Sequence, residues 1–481
     1  MSFEKDINAL VAMSNKYGAD EEFVLAGGGN TSYKTADTLY IKGSGTSLAT
    51  ITVDGFVKID RAELEKIWSA KFSEVEAERE AQVLSMMMNS RKKGEEGKRP
   101  SVETLLHDLL PQKFVLHVHP ALVNGITCAV DGERIAAELF PDAVWVPSTK
   151  PGYILAALCR EKLGEYERSQ GRIPQIIFLE NHGIFISADT TEEIDVIAKE
   201  VFDTIKKKVA IFPCKEKVDF DEALAETLAP EIRMLYSAEG KAVVKHTAYH
   251  DIIAFARDRE AFSPLADSFS PDHIVYCKAH PLYVENKGDE TPAELEKAFR
   301  SYTEKNGFKP KIIFVHGVGM FACGGTKKEA ETASVVFEDA IKIATYAMSF
   351  GGAKHMSEEL TAFISNWEVE SYRAKVALSG ATDKRLAGKI SIVTGSAQGF
   401  GAGIAEAMIR EGAYVAIADM NVEGAENMAK SLCEKYGGKR TYPLPVFAEK
   451  DAMPSHAAPV APVTLAKPPK KWQAAFPPSC P

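Results

Sequence analysis

Two histidines, His117 and His119, stand at alternate positions in the run KFVLHVHP, residues 113–120. The run begins as a buried strand, and side chains two apart in a strand point to one face. Two imidazoles on one face make an incomplete metal-ligand set. Such a set calls for a third ligand and an acid–base group elsewhere in the chain. His182, in NHG between an apolar run and a glycine, supplies the third imidazole, and Glu103, in PSVE just ahead of the HVH run, supplies a carboxylate. Three imidazoles leave a zinc ion one or more open positions, the mark of a catalytic rather than a structural site. A metal polarising a carbonyl and its neighbouring hydroxyl favours an enediolate by drawing off negative charge, and a nearby carboxylate moves the protons. AGGGNTS and KGSG add glycine-rich turns whose amides and hydroxyls suit a phosphate. Each signal alone has a plainer reading, since HxH in a strand is often incidental and a glycine turn is often only a turn. It is their order along one chain that joins them.

The elements that must position these residues follow from pattern. Residues 1–20 read as a helix with Ile7, Leu10 and Val11 at helical spacing. VLAGGGNTSYKTADTLYIKGSG reads as two short β runs around glycine turns. Residues 60–98 read as long charged helices opening at Asp60 as N-cap and closing in the polar loop RKKGEEGKRP. SVETLLHDLL reads as a short helix carrying Glu103 into the histidine strand. VWVPS and IIFLENHGIFISA (176–188) read as strands, and 191–208 as a helix. A second copy of part of this pattern follows: PQIIFLENHGIFISADTTEEI from Pro174 matches PKIIFVHGVGMFACGGTKKEA from Pro310, with Phe178, Gly183 and Phe185 against Phe314, Gly319 and Phe321. HVHPALV has a weaker counterpart in KAHPLYV (278–284). On that pairing Lys278 stands for His117 and Val318 for His182, leaving His280 alone of three ligands. Chance similarity between two buried strands is the plain alternative. HTAYH places His246 and His250 on one helical face, without the adjacent glutamate of a zinc protease, and His273, His316 and His355 read as ordinary polar residues.

The series GGNTS, KGSG, PSxExxxH, HxHP and NHG resembles the class II aldolase/adducin family over roughly residues 5–215. The resemblance implies zinc on His117, His119 and His182, with Glu103 as the acid–base group. It also implies a sugar phosphate held by Gly29, Asn30, Ser44, Gly45 and Ser101. Val102 departs from the second serine often found there in the family, which puts one hydroxyl contact to phosphate in doubt.

A third unit begins near Leu386. In TGSAQGFG, Gly395, Gly399 and Gly401 lie between a strand and a helix, and the next strand ends at Asp419. Glycines there let a pyrophosphate approach a helix N-terminus, and the acid suits a ribose hydroxyl. This resembles the start of a short-chain dehydrogenase, which implies an NAD(P) site. The family's NNAG strand, catalytic serine and YxxxK pair do not occur after Asp419; SYRAK (371–375) precedes the motif and is one residue short. Residues 443–481 hold ten of the chain's 24 prolines and are expected to be disordered. The NAD(P) site is therefore expected to be incomplete and the dehydrogenase truncated, as after a reading-frame change.

The expected architecture is α/β. A class II aldolase-like α/β/α domain (1–215) is followed by a degenerate aldolase-like unit (216–380). A Rossmann-like start (381–445) and a tail (446–481) complete it. This order, with FISNWEVESYRAKVAL before the third unit, resembles the bifunctional rhamnulose-1-phosphate aldolase/lactaldehyde dehydrogenase type. The resemblance implies cleavage of rhamnulose 1-phosphate to glycerone phosphate and lactaldehyde, in an assembly of identical subunits. A sugar-phosphate epimerase or dehydratase, and a non-catalytic adducin-like scaffold, are the rival readings. Composition fits a globular protein, with 45% apolar and 26% charged residues. A net charge of −10 without a basic stripe argues against a nucleic-acid partner. No apolar run reaches membrane-helix length, the N-terminus lacks signal-peptide character, and seven scattered cysteines point to a reducing cytoplasm.

Overall fold

The computed structural model describes residues 2–237, 242–366, 384–386, 389–436 and 441–445. The chain divides into two compact units, Met1–Leu378 and Ser379–Pro481. SYRAK and the tail from 446 onward lie outside the described residues.

The first unit holds a seven-stranded sheet built from β1 (Asn30–Lys34), β2 (Thr38–Lys42), β3 (Phe56–Asp60), β4 (Phe114–Val118), β5 (Val144–Val146), β6 (Ile176–Leu179) and β7 (Gly183–Ala188). Their order is β3-β2-β1-β4-β7-β6-β5. FVLHV is buried at every position because β4 is central, paired antiparallel with β1 on one side and β7 on the other. That placement puts Asn30 opposite His117 in one direction and Phe185 opposite it in the other. IIFLENHGIFISA folds as a hairpin, with His182 at its tip between β6 and β7. Asp60 caps a helix as expected, accepting from the amides of Ala62 and Glu63. That helix is only Arg61–Glu65, followed by a 3₁₀ turn (Lys66–Ser69) and a separate helix Glu76–Asn89, rather than long continuous helices. The stretch AKFSEV between them offers no apolar stripe at helical spacing.

The same unit holds a second sheet of β8 (Val243–Thr247), β9 (Leu282–Val284), β10 (Ile312–Val315) and β11 (Gly319–Gly324), in the order β8-β11-β10-β9. It repeats β4-β7-β6-β5 strand for strand. β10 and β11 pair Val315 with Gly319, as β6 and β7 pair Leu179 with Gly183. β9 runs parallel to β10, as β5 runs parallel to β6. The counterpart of β4 is therefore β8, where His246 pairs with Phe321 as His117 pairs with Phe185. This corrects two expectations. KAHP leads into β9, so neither Lys278 nor His280 occupies a ligand position of the first copy. His246 lies in a strand, not on a helical face with His250, because the β-branched VVKHT run favours the sheet. Among the described residues the second copy has no counterpart of β1–β3.

The two copies share one core. Helix Lys327–Ala347 packs against helix Ala121–Thr127 so closely that a β-carbon at Gly125 would fall 2.5 Å from Tyr346 Cβ. Apolar residues of both copies, including Ile126, Phe178, Ile194, Phe269, Phe314 and Ile343, form a single contiguous cluster.

The second unit holds three parallel strands in sequence order, β12 (Ile390–Thr394), β13 (Tyr414–Asp419) and β14 (Thr441–Pro445). Helices Gly399–Arg410 and Val422–Tyr436 join them. β12 alternates exposed and half-buried residues, leaving Ile390 and Ile392 open to solvent, whereas Val415 and Ile417 of β13 are buried. Among the described residues no helix is long and apolar enough to cross a membrane.

Candidate metal centre

Adjacent elements of the first sheet deliver four side chains to one point. His117 comes from β4, His119 from the residue past its end, His182 from the β6–β7 turn, and Glu103 from the N-cap of helix Thr104–Leu109. One ligand atom from each lies within 4.8 Å of the others. His119 Nε2 is 2.9 Å from His117 Nε2, and Glu103 Oε1 is 3.0 Å from His117 Nε2 and 3.2 Å from His182 Nε2. His117 is fully buried and stacks on Phe185 at 4.0 Å between ring centroids. The side chains of His119, His182 and Glu103 each keep 12% exposure, so the point of convergence is reachable from outside.

The loops that bring these groups together are shaped by close approach. Gly29 has φ +70°, and a β-carbon there would meet the His117 carbonyl at 2.9 Å. A β-carbon at Gly183 would fall 2.5 Å from the Val118 carbonyl and 2.7 Å from His119 Cδ2. The left-handed residue of NHG is Asn181, at φ +56°, not the glycine. Asn181 holds that turn by donating its amide to the Lys354 carbonyl at 2.8 Å, a contact from the second copy.

Burial alone would raise the Glu103 carboxyl, but the imidazoles of His117 and His182 outweigh it and hold the group well below its usual value. Its other oxygen, Oε2, accepts from Asn30 Nδ2. That contact fixes the Asn30 amide, since a carboxylate facing Oδ1 would be acceptor against acceptor. Asn30 Nδ2 also lies 3.2 Å from Ser101 Oγ, and Asn30 Oδ1 accepts from His107 Nε2. Burial, together with nearby His117, keeps His107 well below its usual value and neutral, so its Nδ1 accepts from the Ser32 hydroxyl at 2.7 Å. Ser32, His107, Asn30 and Glu103 thus form one buried polar chain with every donor assigned. Lys34 closes the far end of the Glu103 helix, donating to the carbonyls of His107 and Leu110. Neither His107 nor Lys34 was given a role from sequence, although the terminal histidine of PSxExxxH marked His107 for attention.

Of the residues that resemblance assigns to phosphate, Gly29, Asn30 and Ser101 gather beside Glu103. Ser44 lies next to the Arg99–Ser101 segment, its amide donating to the Arg99 carbonyl at 2.7 Å. Gly45, at φ +88°, is exposed in the same turn. Three imidazole nitrogens, with a carboxylate oxygen beside them, fit zinc or a similar divalent cation. Two imidazoles are also locked at Nδ1, His117 by the Ile184 carbonyl at 3.0 Å and His119 by Asp272 Oδ2 at 2.6 Å. A cavity of about 1010 Å³ lies in the second copy around Lys278 and Tyr302, away from this cluster. Chemistry, not size, marks the histidine cluster as the candidate site.

In the second unit Gly395 and Gly399 have φ +63° and +61°. A β-carbon at Gly401 would fall 2.1 Å from the Gly395 carbonyl. Asp419 accepts from the amides of Asn421 and Ala397, both at 2.9 Å, and these bonds hold its carboxyl below the usual value. The loop that carries the glycines and the strand-end acid are thus in contact through the Ala397 amide.

Comparison with known proteins agrees with this division. The "Class II Aldolase and Adducin N-terminal domain" matches residues 8–204, "Aldolase class II, second domain" matches 223–374, and "short chain dehydrogenase" matches 389–456. Among curated proteins, "Uncharacterized oxidoreductase YuxG" of Bacillus subtilis is 26% identical over 491 aligned positions, covering 93% of this chain and 69% of that protein. D-threitol dehydrogenase of Mycolicibacterium smegmatis is 46% identical over 65 residues, covering 14% of this chain and 25% of its own length. Among solved structures, the N-terminal class II aldolase domain of a conserved protein from Thermoplasma acidophilum is 28% identical. It covers 42% of this chain and 92% of that one, with a TM-score of 0.36. The chain is a fusion of class II aldolase domains with a C-terminal short-chain dehydrogenase domain.

Proposed function

We propose that this protein cleaves a ketose 1-phosphate by a metal-dependent retro-aldol reaction, with rhamnulose 1-phosphate giving glycerone phosphate and lactaldehyde as the specific case. The observation that carries this reading is the convergence of three imidazole Nε2 atoms and Glu103 Oε1 at a partly open point. His117, His119 and His182 would hold the cation. When bound, it supplies a Lewis acid for the charge that develops on the three-carbon fragment. Glu103 takes the proton of the C4 hydroxyl and returns it to C3 as the C3–C4 bond breaks, so one carboxylate balances the proton transfer. Asn30 holds Glu103 in place through Oε2, and His107 and Ser32 hold Asn30. The amides at Gly29 and Gly45, with Asn30, Ser44 and Ser101, receive the phosphate at the mouth of the site.

The test is a coupled assay for glycerone phosphate released from a panel of ketose 1-phosphates. Release from the rhamnulose ester above the others supports the specific reading, and release from another ester moves only the sugar. Conversion without release of a three-carbon phosphate would replace the aldolase with an epimerase or dehydratase. For the second unit we propose a nucleotide site at the loop carrying Gly395, Gly399 and Gly401, with Asp419 placed for the ribose.

A further inference from the structure

We propose that Asp272, from the second aldolase copy, is a positioning residue for the metal centre of the first, so that the centre is completed by both copies. The proposal rests on the metal reading of the histidine cluster. His119 Nδ1 lies 2.6 Å from Asp272 Oδ2, and the two side chains are 12% and 13% exposed. A proton on Nδ1, donated to that carboxylate, leaves the lone pair of His119 on Nε2, the atom that faces His117 Nε2 at 2.9 Å. His117 receives the same service from a carbonyl of its own copy, Ile184. His119 stands past the end of β4, where the sheet offers no carbonyl in the equivalent place, and the carboxylate comes from 153 residues further along the chain.

Several features hold Asp272 in that position. It is the second residue of helix Pro271–Cys277, which packs against helices Lys327–Ala347 and Glu358–Asn366. The next residue, His273, is pinned by Ser270 Oγ at 3.0 Å. The first copy leaves room for the carboxylate at Gly28, where a β-carbon would fall 3.0 Å from Asp272 Oδ2. A carboxylate–imidazole pair this short and this sheltered resists competition from water. Among the described residues the second copy has no counterpart of β1–β3 and no cluster of metal-ligating side chains. On this proposal its contribution to the chemistry is to fix the direction of one imidazole.

The experiment is zinc titration of the metal-stripped full chain against a chelating dye, with the visible spectrum of the cobalt-loaded protein as a second readout. Asp272→Ala is expected to weaken zinc binding by about 10- to 100-fold and to change the cobalt spectrum. Asp272→Asn, which keeps an acceptor oxygen without the charge, is expected to fall between Ala and the unaltered protein and serves if Ala does not fold. Asp267→Ala removes a carboxylate that pairs with exposed His280 in the same copy and is expected to leave zinc affinity unchanged. If the unaltered protein takes up no zinc, the metal reading itself fails. If it takes up zinc and both Asp272 variants bind equally well, the positioning role alone is overturned.

Discussion

Two groups at the cluster have separable duties. On the proposed reading His182 contributes only a ligand atom, whereas Glu103 exchanges a proton. His182→Ala is therefore expected to lose most bound metal together with activity. Glu103→Gln keeps the acceptor for Asn30 and is expected to retain metal while losing about 10²–10⁴-fold in rate. Metal analysis beside a glycerone phosphate assay separates the two variants. A His182→Ala protein with full metal occupancy would remove that residue from the ligand set. A Glu103→Gln protein near the unaltered rate would assign the proton to another group. Asp339 offers a third test, one of stability. It is buried on helix Lys327–Ala347 and faces His273 at 3.8 Å, with Lys342, Asp272, Glu22 and Lys215 the other charges acting on it. Burial pushes its carboxyl up from 3.8 to about 7. The folded protein then keeps a proton that the unfolded chain has lost, so this contribution is full below 3.8 and disappears as pH rises through about 7. Asp339→Asn stays neutral throughout. In urea unfolding its advantage over the unaltered protein should be larger at pH 8 than at pH 5, by on the order of 2 kcal/mol. An equal difference at both pH values would mean that Asp339 is ionised in the folded state.

At the scale of elements, what could be read from sequence was what depends on local pattern. The alternation in FVLHVHP set the face shared by His117 and His119. NHG between two apolar runs set the hairpin, and Asp60 declared a helix start. The pairing of distant strands was not legible. KAHP looked like HVHP because both histidines precede a proline and an apolar run, yet β9 takes the place of β5 while β8 takes that of β4. Short sequence likeness carries no information on which sheet edge a strand joins. The buried chain from Ser32 through His107 to Asn30 was hidden for a related reason: its contacts join residues 75 and 77 apart, which meet only through the fold. Asp272 was more hidden still, since an aspartate after a proline at a helix start reads as an ordinary first-turn acid. In the second unit the strand–glycine loop–helix order was legible, and the Ala397 amide of that loop meets Asp419. Gly395 sits at φ +63°, so Gly395→Asp is expected to weaken NADH binding followed by fluorescence, and equal binding would remove this loop from the nucleotide site.

Across the whole of Met1–Leu378, the boundary between copies is crossed by polar as well as apolar contacts. Asn181 and Glu180 of the first reach the carbonyl and ammonium of Lys354, and residues 129 and 353 form a β-bridge. These contacts flank the His182 turn, so the placement of His182 depends on a segment 173 residues from Asn181. The packing of Gly125 against Tyr346 is the tightest of the contacts between the copies described above. Its consequence is thermodynamic. Helices that meet with no room for one methyl group cannot separate by degrees, so the two copies should melt together as a single cooperative body. A ligand that binds only the folded form then stabilises that whole body, although it touches ligands of one copy alone. Stripping zinc with a chelator is accordingly expected to lower one calorimetric transition containing both copies. If the chelator splits the transition and moves only part of it, the copies are energetically independent. Single-step loss would mean that heat, proteolysis or a damaging substitution in the second copy carries the metal centre with it, and that the duplicate without a ligand triad is maintained by the thermal tolerance of the copy that has one.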